Sequence, residues 1–174
     1  DAYSASADQQ ALEGNGCFDM ASRTDRVGNG HILFHTIKMR GADQQDRTSF
    51  EFGEPFSIEF NMHCIETTRA CFVGLSFIAS DGTNVVSSHH SDSADVVELI
   101  AGKSYKLICR YDPNTLKPGG YVLQAAILNT GTWEFIDWIY AIGPFTVSEG
   151  SGKFGRASDH RPGYTQPKLE WSWE

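Results

Sequence analysis

The side chains best suited to chemistry in this chain are aromatic rings and hydrogen-bonding groups on strand-like segments. In IDWIYAI, Trp138 and Tyr140 alternate with Ile139 and Ala141, so they share one face of a strand whose other face can fill a core. An exposed indole and phenol beside amide, imidazole and guanidinium groups suit a sugar. The C–H face of the pyranose packs on the aromatic plane, and its hydroxyls take directed hydrogen bonds. Gln124, Asn61, His63, His89 and Arg110 are the candidate hydrogen-bonding residues, and Trp133, in a loop at the same end, is the candidate rim. The plainer reading of Trp138 and Tyr140 is a plug at a sheet edge or a subunit contact. For His89, His90 and Arg110 it is a solvated strand.

Catalysis has less to work with. The phosphate-cradling GxxxxGK[ST] loop, the GxSxG elbow and the HExxH zinc motif are all missing. His89 and His90 are adjacent, and neighbours on a strand point to opposite faces, so regular β geometry cannot aim both at one metal. Neither a metal nor a cofactor is expected. Glu59, Glu134 and Asp137 would serve glycoside hydrolysis if two of them were held about 5–9 Å apart in a cleft. Glu59 instead reads as a solvated strand position and Asp137 as a turn or edge acceptor. An enzyme is the weaker reading.

These residues sit on short apolar segments separated by turn signals at fairly regular intervals, the pattern of an all-β sandwich or barrel. FSIEFNMHC alternates strictly, with Phe56, Ile58, Phe60, Met62 and Cys64 on one side. ACFVGLSFIA is apolar on both faces and so belongs inside its sheet. In LKPGGYVLQAAIL, Tyr121, Leu123, Ala125 and Ile127 are expected inward, with Val122, Gln124, Ala126 and Leu128 on the other face. The Gly143-Pro144 pair should break the ladder of the last long strand, after which Phe145 and Val147 return to the core.

The flanks differ. Residues 1–28 are polar and aperiodic and read as a tether with a short ordered stretch near Cys17-Phe18; residues 29–147 make the sandwich. Residues 148–174 combine a Gly- and Ser-rich linker with KLEWSWE, whose Leu169, Trp171 and Trp173 alternate as in a half-buried strand. Behind such a linker a terminal strand can pair with its own domain or with a second copy.

Composition narrows the partners. At 174 residues, 40% hydrophobic and 21% charged, the chain suits one globular domain. Its net charge of −8 opposes phosphate tracking, so nucleic acid is not an expected partner. The start at Asp1 without methionine or a secretory signal reads as a piece of a longer protein. Four cysteines without CxxC spacing read as reduced thiols in a cytoplasmic setting, although Cys64 and Cys71 could flank one hairpin.

Taken in order, VGNGHILFHTIKMRGAD, FEFGEPFSIEFNMHC, ACFVGLSFIASDGTNVVSS, LKPGGYVLQAAIL and IDWIYAIGPFTV resemble the C-terminal domain of Wzt-type ATP-binding subunits of ABC transporters that export O-antigen polysaccharide. The resemblance runs from Val27 to Val147. It implies an antiparallel β-sandwich, jelly-roll-like or immunoglobulin-like, acting as a non-catalytic module. Such a module recognises the often capped non-reducing end of a lipid-linked glycan in the cytoplasm, at the inner membrane. The implied partners are that polysaccharide terminus, a second copy exchanging the C-terminal strand (Leu169, Trp171, Trp173), and the membrane-spanning transporter subunit through an ATPase domain. His89 stands where relatives often carry a small amide or hydroxyl residue. The rival reading is a structural dimerisation domain without a ligand of its own.

Overall fold

The computed structural model describes residues 14–96, 98–152 and 162–167. Nine strands are formed among them: β1 (Cys17–Asp19), β2 (Ile32–Gly41), β3 (Ser49–Glu51), β4 (Phe56–Cys64), β5 (Cys71–Ala79), β6 (Asn84–His89), β7 (Ser104–Tyr111), β8 (Gly119–Asn129) and β9 (Phe135–Ser148). They make a four-stranded sheet, β1-β2-β4-β7, and a five-stranded sheet, β3-β9-β8-β5-β6. Every pairing is antiparallel except β3 with β9, where three residues run parallel to the end of the last strand. No helix among the described residues is long and apolar enough to cross a membrane.

The sequence pattern explains the layers. On β4, Phe56, Ile58, Phe60, Met62 and Cys64 are buried, and on β8 so are Tyr121, Leu123, Ala125 and Ile127. These inward faces meet in an aromatic-rich core, with Phe145 packed against Phe50, Phe56, Phe77 and Tyr121 at ring separations of 5.2–6.5 Å. β5 lies between β8 and β6, as its apolar character on both faces requires.

The register of β9 breaks earlier than the Gly-Pro pair. Leu123 pairs with Gly143 and Ala125 with Ile139, so Tyr140, Ala141 and Ile142 together stand opposite Gln124 alone. This bulge corrects the simple alternation: Ile142 is buried and Ala141 exposed. Gly143 has a separate reason to be glycine, since a Cβ there would lie 2.1 Å from Cε1 of Phe18.

Both flanks are more structured than a tether and a linker, where they are described. β1 joins the four-stranded sheet, Met20 is fully buried, and Val27 forms an isolated bridge with Trp138. Beyond β9, Tyr164–Gln166 lies antiparallel to Thr115–Lys117 through Lys117 N–H to Tyr164 O (2.8 Å) and Gln166 N–H to Thr115 O (2.8 Å). The Tyr164 hydroxyl donates to Asp81. Leu169, Trp171 and Trp173 fall outside the described residues.

All four cysteines are free thiols. Burial, with Cys64 nearby, pushes the Cys71 thiol from its ordinary 9.0 up to about 11. Below pH 9 the thiol is protonated whether the chain is folded or not, so stability is unaffected. Between pH 9 and 11 only the unfolded chain gains by ionising, so stability falls as pH rises. Urea midpoints should decline across that window less in Cys71→Ala than in the parent. Parallel declines would remove Cys71 as the cause.

Candidate functional site

The outward face of the five-stranded sheet gathers five of the eight candidate residues. Register aligns His89 with Gly74, Gly74 with Ala126, and Ala126 with Trp138, so a row of two large rings and two minimal side chains crosses four strands. The small residues let the rings lie down on the sheet. A Cβ on Gly74 would meet Cδ2 of His89 at 3.1 Å. The imidazole packs on Phe72 with centroids 4.5 Å apart, and Phe135 stacks on Trp138 at 4.8 Å with planes 15° apart. Tyr140 meets Trp138 edge-on at 6.2 Å and remains 58% exposed.

The neighbouring row is polar. Ser87 pairs with Ser76 and Ser76 with Gln124; the two serine hydroxyls lie 3.3 Å apart, and Asn84 Nδ2 donates to Ser76 Oγ at 3.3 Å. The half-buried Gln124 side-chain amide has no hydrogen-bond partner among the described residues, which leaves two donors and an acceptor for a ligand. The bulge on β9 stands directly opposite it. Stacking surface and unspent hydrogen-bonding groups thus share one face, the combination a sugar ring needs.

Trp133 rises at the end of this face from the β8–β9 turn. Its φ of +61° is unusual for a bulky residue, and it is 61% exposed. Asn129 sets the turn: its Oδ1 accepts the N–H groups of Gly131 (2.9 Å) and Thr132 (3.1 Å), and its carbonyl accepts Trp133 N–H (3.0 Å). The indole then stands edge-on to Phe72 at 5.3 Å, with His89 at 6.1 Å. A large apolar ring held outward in a disfavoured backbone conformation is the sort of local cost found at working sites.

Asn61, His63 and Arg110 do not join this group. They point outward from the four-stranded sheet, on the opposite side of the molecule. Asn61 donates to Thr36 Oγ1 (3.1 Å) and Glu59 Oε1 (2.9 Å), and His63 Nδ1 lies 3.1 Å from Ser104 Oγ. Arg110 has no ion pair among the described residues and lines a cavity of about 230 Å³ with Arg40, Ser57, Glu59, Ile108 and Asp112. Part of its polar lining is already paired. Arg40 bonds Asp46 (2.5 Å) and Glu59 (3.0 Å).

The carboxylates are committed elsewhere. Glu59 is held below the usual carboxylate range by the Asn61 hydrogen bond and the nearby Arg40 and Lys106 charges, the opposite of what a general acid needs. Asp137, 1% exposed, is inside the sandwich, where it accepts from Arg26 and from Phe34 N–H (2.8 Å). Glu59, only 5% exposed beneath Arg40 and Lys106, is on the outward side of the four-stranded sheet and Asp137 is between the sheets, so they do not flank a common cleft. Glu134 takes the Thr132 hydroxyl on the β8–β9 turn. Among the described residues no three His, Cys, Asp or Glu side chains are grouped to hold a metal.

Phe72, Asn129 and Phe135 belong to the face but were not foreseen from sequence. Phe72 is hidden in a doubly apolar strand and Asn129 reads as ordinary turn punctuation. Phe135 lies three residues before Trp138, which strict alternation would put on the opposite face, and the register shift between Ile127 and Leu128 brings the two rings together.

Comparison with known proteins gives a likeness that spans nearly the whole chain. The family model described as "Wzt C-terminal domain" matches residues 23–158. A crystal structure of the C-terminal domain of Wzt is similar at a TM-score of 0.73 and 13% identity, covering 94% of this chain and 95% of that one. A beta-glucuronidase from glycoside hydrolase family 2 is similar over 64% of this chain and 11% of its own, at a TM-score of 0.45 and 13% identity. No curated protein matches.

Proposed function

Because the chain belongs to the Wzt C-terminal domain family, we propose that it is a non-catalytic carbohydrate-recognition domain serving O-antigen export by an ABC transporter. Its ligand in this reading is the non-reducing, capped end of a lipid-linked polysaccharide, met on the cytoplasmic side of the inner membrane. The observation that carries the reading is the outward face of the five-stranded sheet, where Trp138, Tyr140 and Trp133 present ring surface beside the free amide of Gln124. Trp133, standing at one end, supplies the wall that distinguishes a chain terminus from a passing internal segment.

The remaining partners follow from the same proposal. The transporter's membrane subunit would be reached through an ATPase domain, and a second copy would pair through the C-terminal strand carrying Leu169, Trp171 and Trp173. Removing residues from Tyr164 onward tests the separation of these roles. A monomer that still binds sugar keeps recognition within one sandwich, whereas binding lost with the dimer would favour a site built across two copies.

The direct test is calorimetric titration with the capped oligosaccharide of the source organism. Trp138→Ala and Tyr140→Ala should each weaken binding about tenfold, the size of an ordinary interface anchor, with the urea midpoint of Tyr140→Ala close to the parent's. Unchanged affinity in both variants would move the site to another surface. The cavity beside Arg110 is the alternative to examine, by Arg110→Ala.

A further inference from the structure

The face just described is nearly devoid of charge. On β5, β6 and β8, and on β9 as far as Tyr140, no outward position carries Asp, Glu, Lys or Arg. The opposite sheet sets the contrast, since its outward positions include Lys38, Arg40, Glu59, Lys106 and Arg110. In a chain with 21% charged residues, four consecutive strand faces without one amount to a chemical selection. The charges at the edges reinforce it. Asp81 lies on the β5–β6 turn, Asp92 accepts His89 N–H, and Glu134 sits beside Trp133. At the β9 bulge, Arg23 is neutralised by Asp25 and spends further donors on the carbonyls of Ala141 and Ile142.

We infer that this face takes an uncharged glycan and discriminates against sugars bearing carboxylate or phosphate. The inference rests on the carbohydrate reading above. An anionic group laid on aromatic rings gives up hydration and finds no cation to replace it. The acidic edge and the net charge of −8 add repulsion that salt screens only in part. A neutral pyranose loses little, because Gln124, Ser76 and Ser87 can satisfy its hydroxyls while its C–H face covers Trp138 or Tyr140. Specificity here lies in what the face fails to provide to the wrong ligand. The His89 ring is occupied by Phe72 on one side and Gly74 beneath.

The test uses the whole chain on a glycan array that includes matched pairs, glucose- against glucuronate-terminated and mannose- against mannose-6-phosphate-terminated oligosaccharides, in 0.02 M and 0.15 M salt. The expected result is binding confined to neutral glycans, with any acidic counterpart at least tenfold weaker. Gln124→Lys should narrow that gap by supplying the missing cation, with low salt strengthening the acidic partner in the variant only. Equal or tighter binding of acidic members by the parent chain would overturn the inference while leaving the carbohydrate reading intact. Silence across the array would overturn both.

Discussion

Arg26→Ala should destabilise the domain by about 3–5 kcal/mol, because it strands a buried carboxylate. Asp137 is 1% exposed, and its two oxygens are held by the Arg26 guanidinium and the backbone N–H of Phe34. The same guanidinium also donates to the carbonyls of Met20 (3.1 Å) and Phe34 (2.8 Å), so truncation leaves three acceptors short of a donor. Against a total stability of about 5–15 kcal/mol for a domain, that is a large share. Urea unfolding would measure it. The double variant Arg26→Leu with Asp137→Leu should recover a substantial part, since removing both charges removes the desolvation problem as well as the bond. A loss below about 1 kcal/mol in Arg26→Ala would mean that water reaches Asp137.

Trp133 gives a second large effect with an internal control. Trp133→Ala and Trp133→Gly lose the same indole, so both should weaken glycan binding by about 2 kcal/mol, roughly 30-fold, the scale of an aromatic hot spot. Their stabilities should differ. Alanine keeps a Cβ at φ +61°, whereas glycine occupies that region without steric cost, so the glycine variant should be more stable by about 1 kcal/mol. Equal affinity loss with unequal stability would show that the ring, and not the backbone turn, makes the contact. If only the alanine variant lost affinity, turn geometry would be the determinant.

Much of the sandwich was legible because a strand buried on one side writes its pattern locally. Phe56 through Cys64 alternate, and so do Tyr121 through Ile127, and neither needs knowledge of its partners. What local pattern cannot convey is pairing. β1 is only three residues long and exists through β2, so the region around it read as a tether. The β9 bulge is a matter of fit against β8, and Gly143 is explained by Phe18, more than a hundred residues away. Asp137 looked like an edge acceptor because Arg26, its partner, is 111 residues distant.

The candidate site shows the same boundary. Alternation places Trp138 with Tyr140 on one face, and Asn61 with His63 on one face, but it is silent on which sheet each strand joins. Two correct faces were therefore merged into one site, and the sheet order divides them: Trp133, Trp138, Tyr140, Gln124 and His89 to one side, Asn61, His63 and Arg110 to the other. Family resemblance supplied the family and the fold, which the model match and the likeness to the Wzt C-terminal domain bear out.

The bridge between Val27 and Trp138 has a thermodynamic meaning. Each residue donates its N–H to the other's carbonyl, at 3.0 and 2.8 Å, so the strand that offers Trp138 to solvent is fastened along its free edge by the chain that leads into the sandwich. If a ligand on the indole steadies that strand, it also steadies residues 20–27. By reciprocity, a force or partner that peels the leading segment away must weaken the ligand by the same free energy. The two ends of that linkage are one hydrogen-bonded pair apart, so a message between glycan and leading segment would need no path through the core.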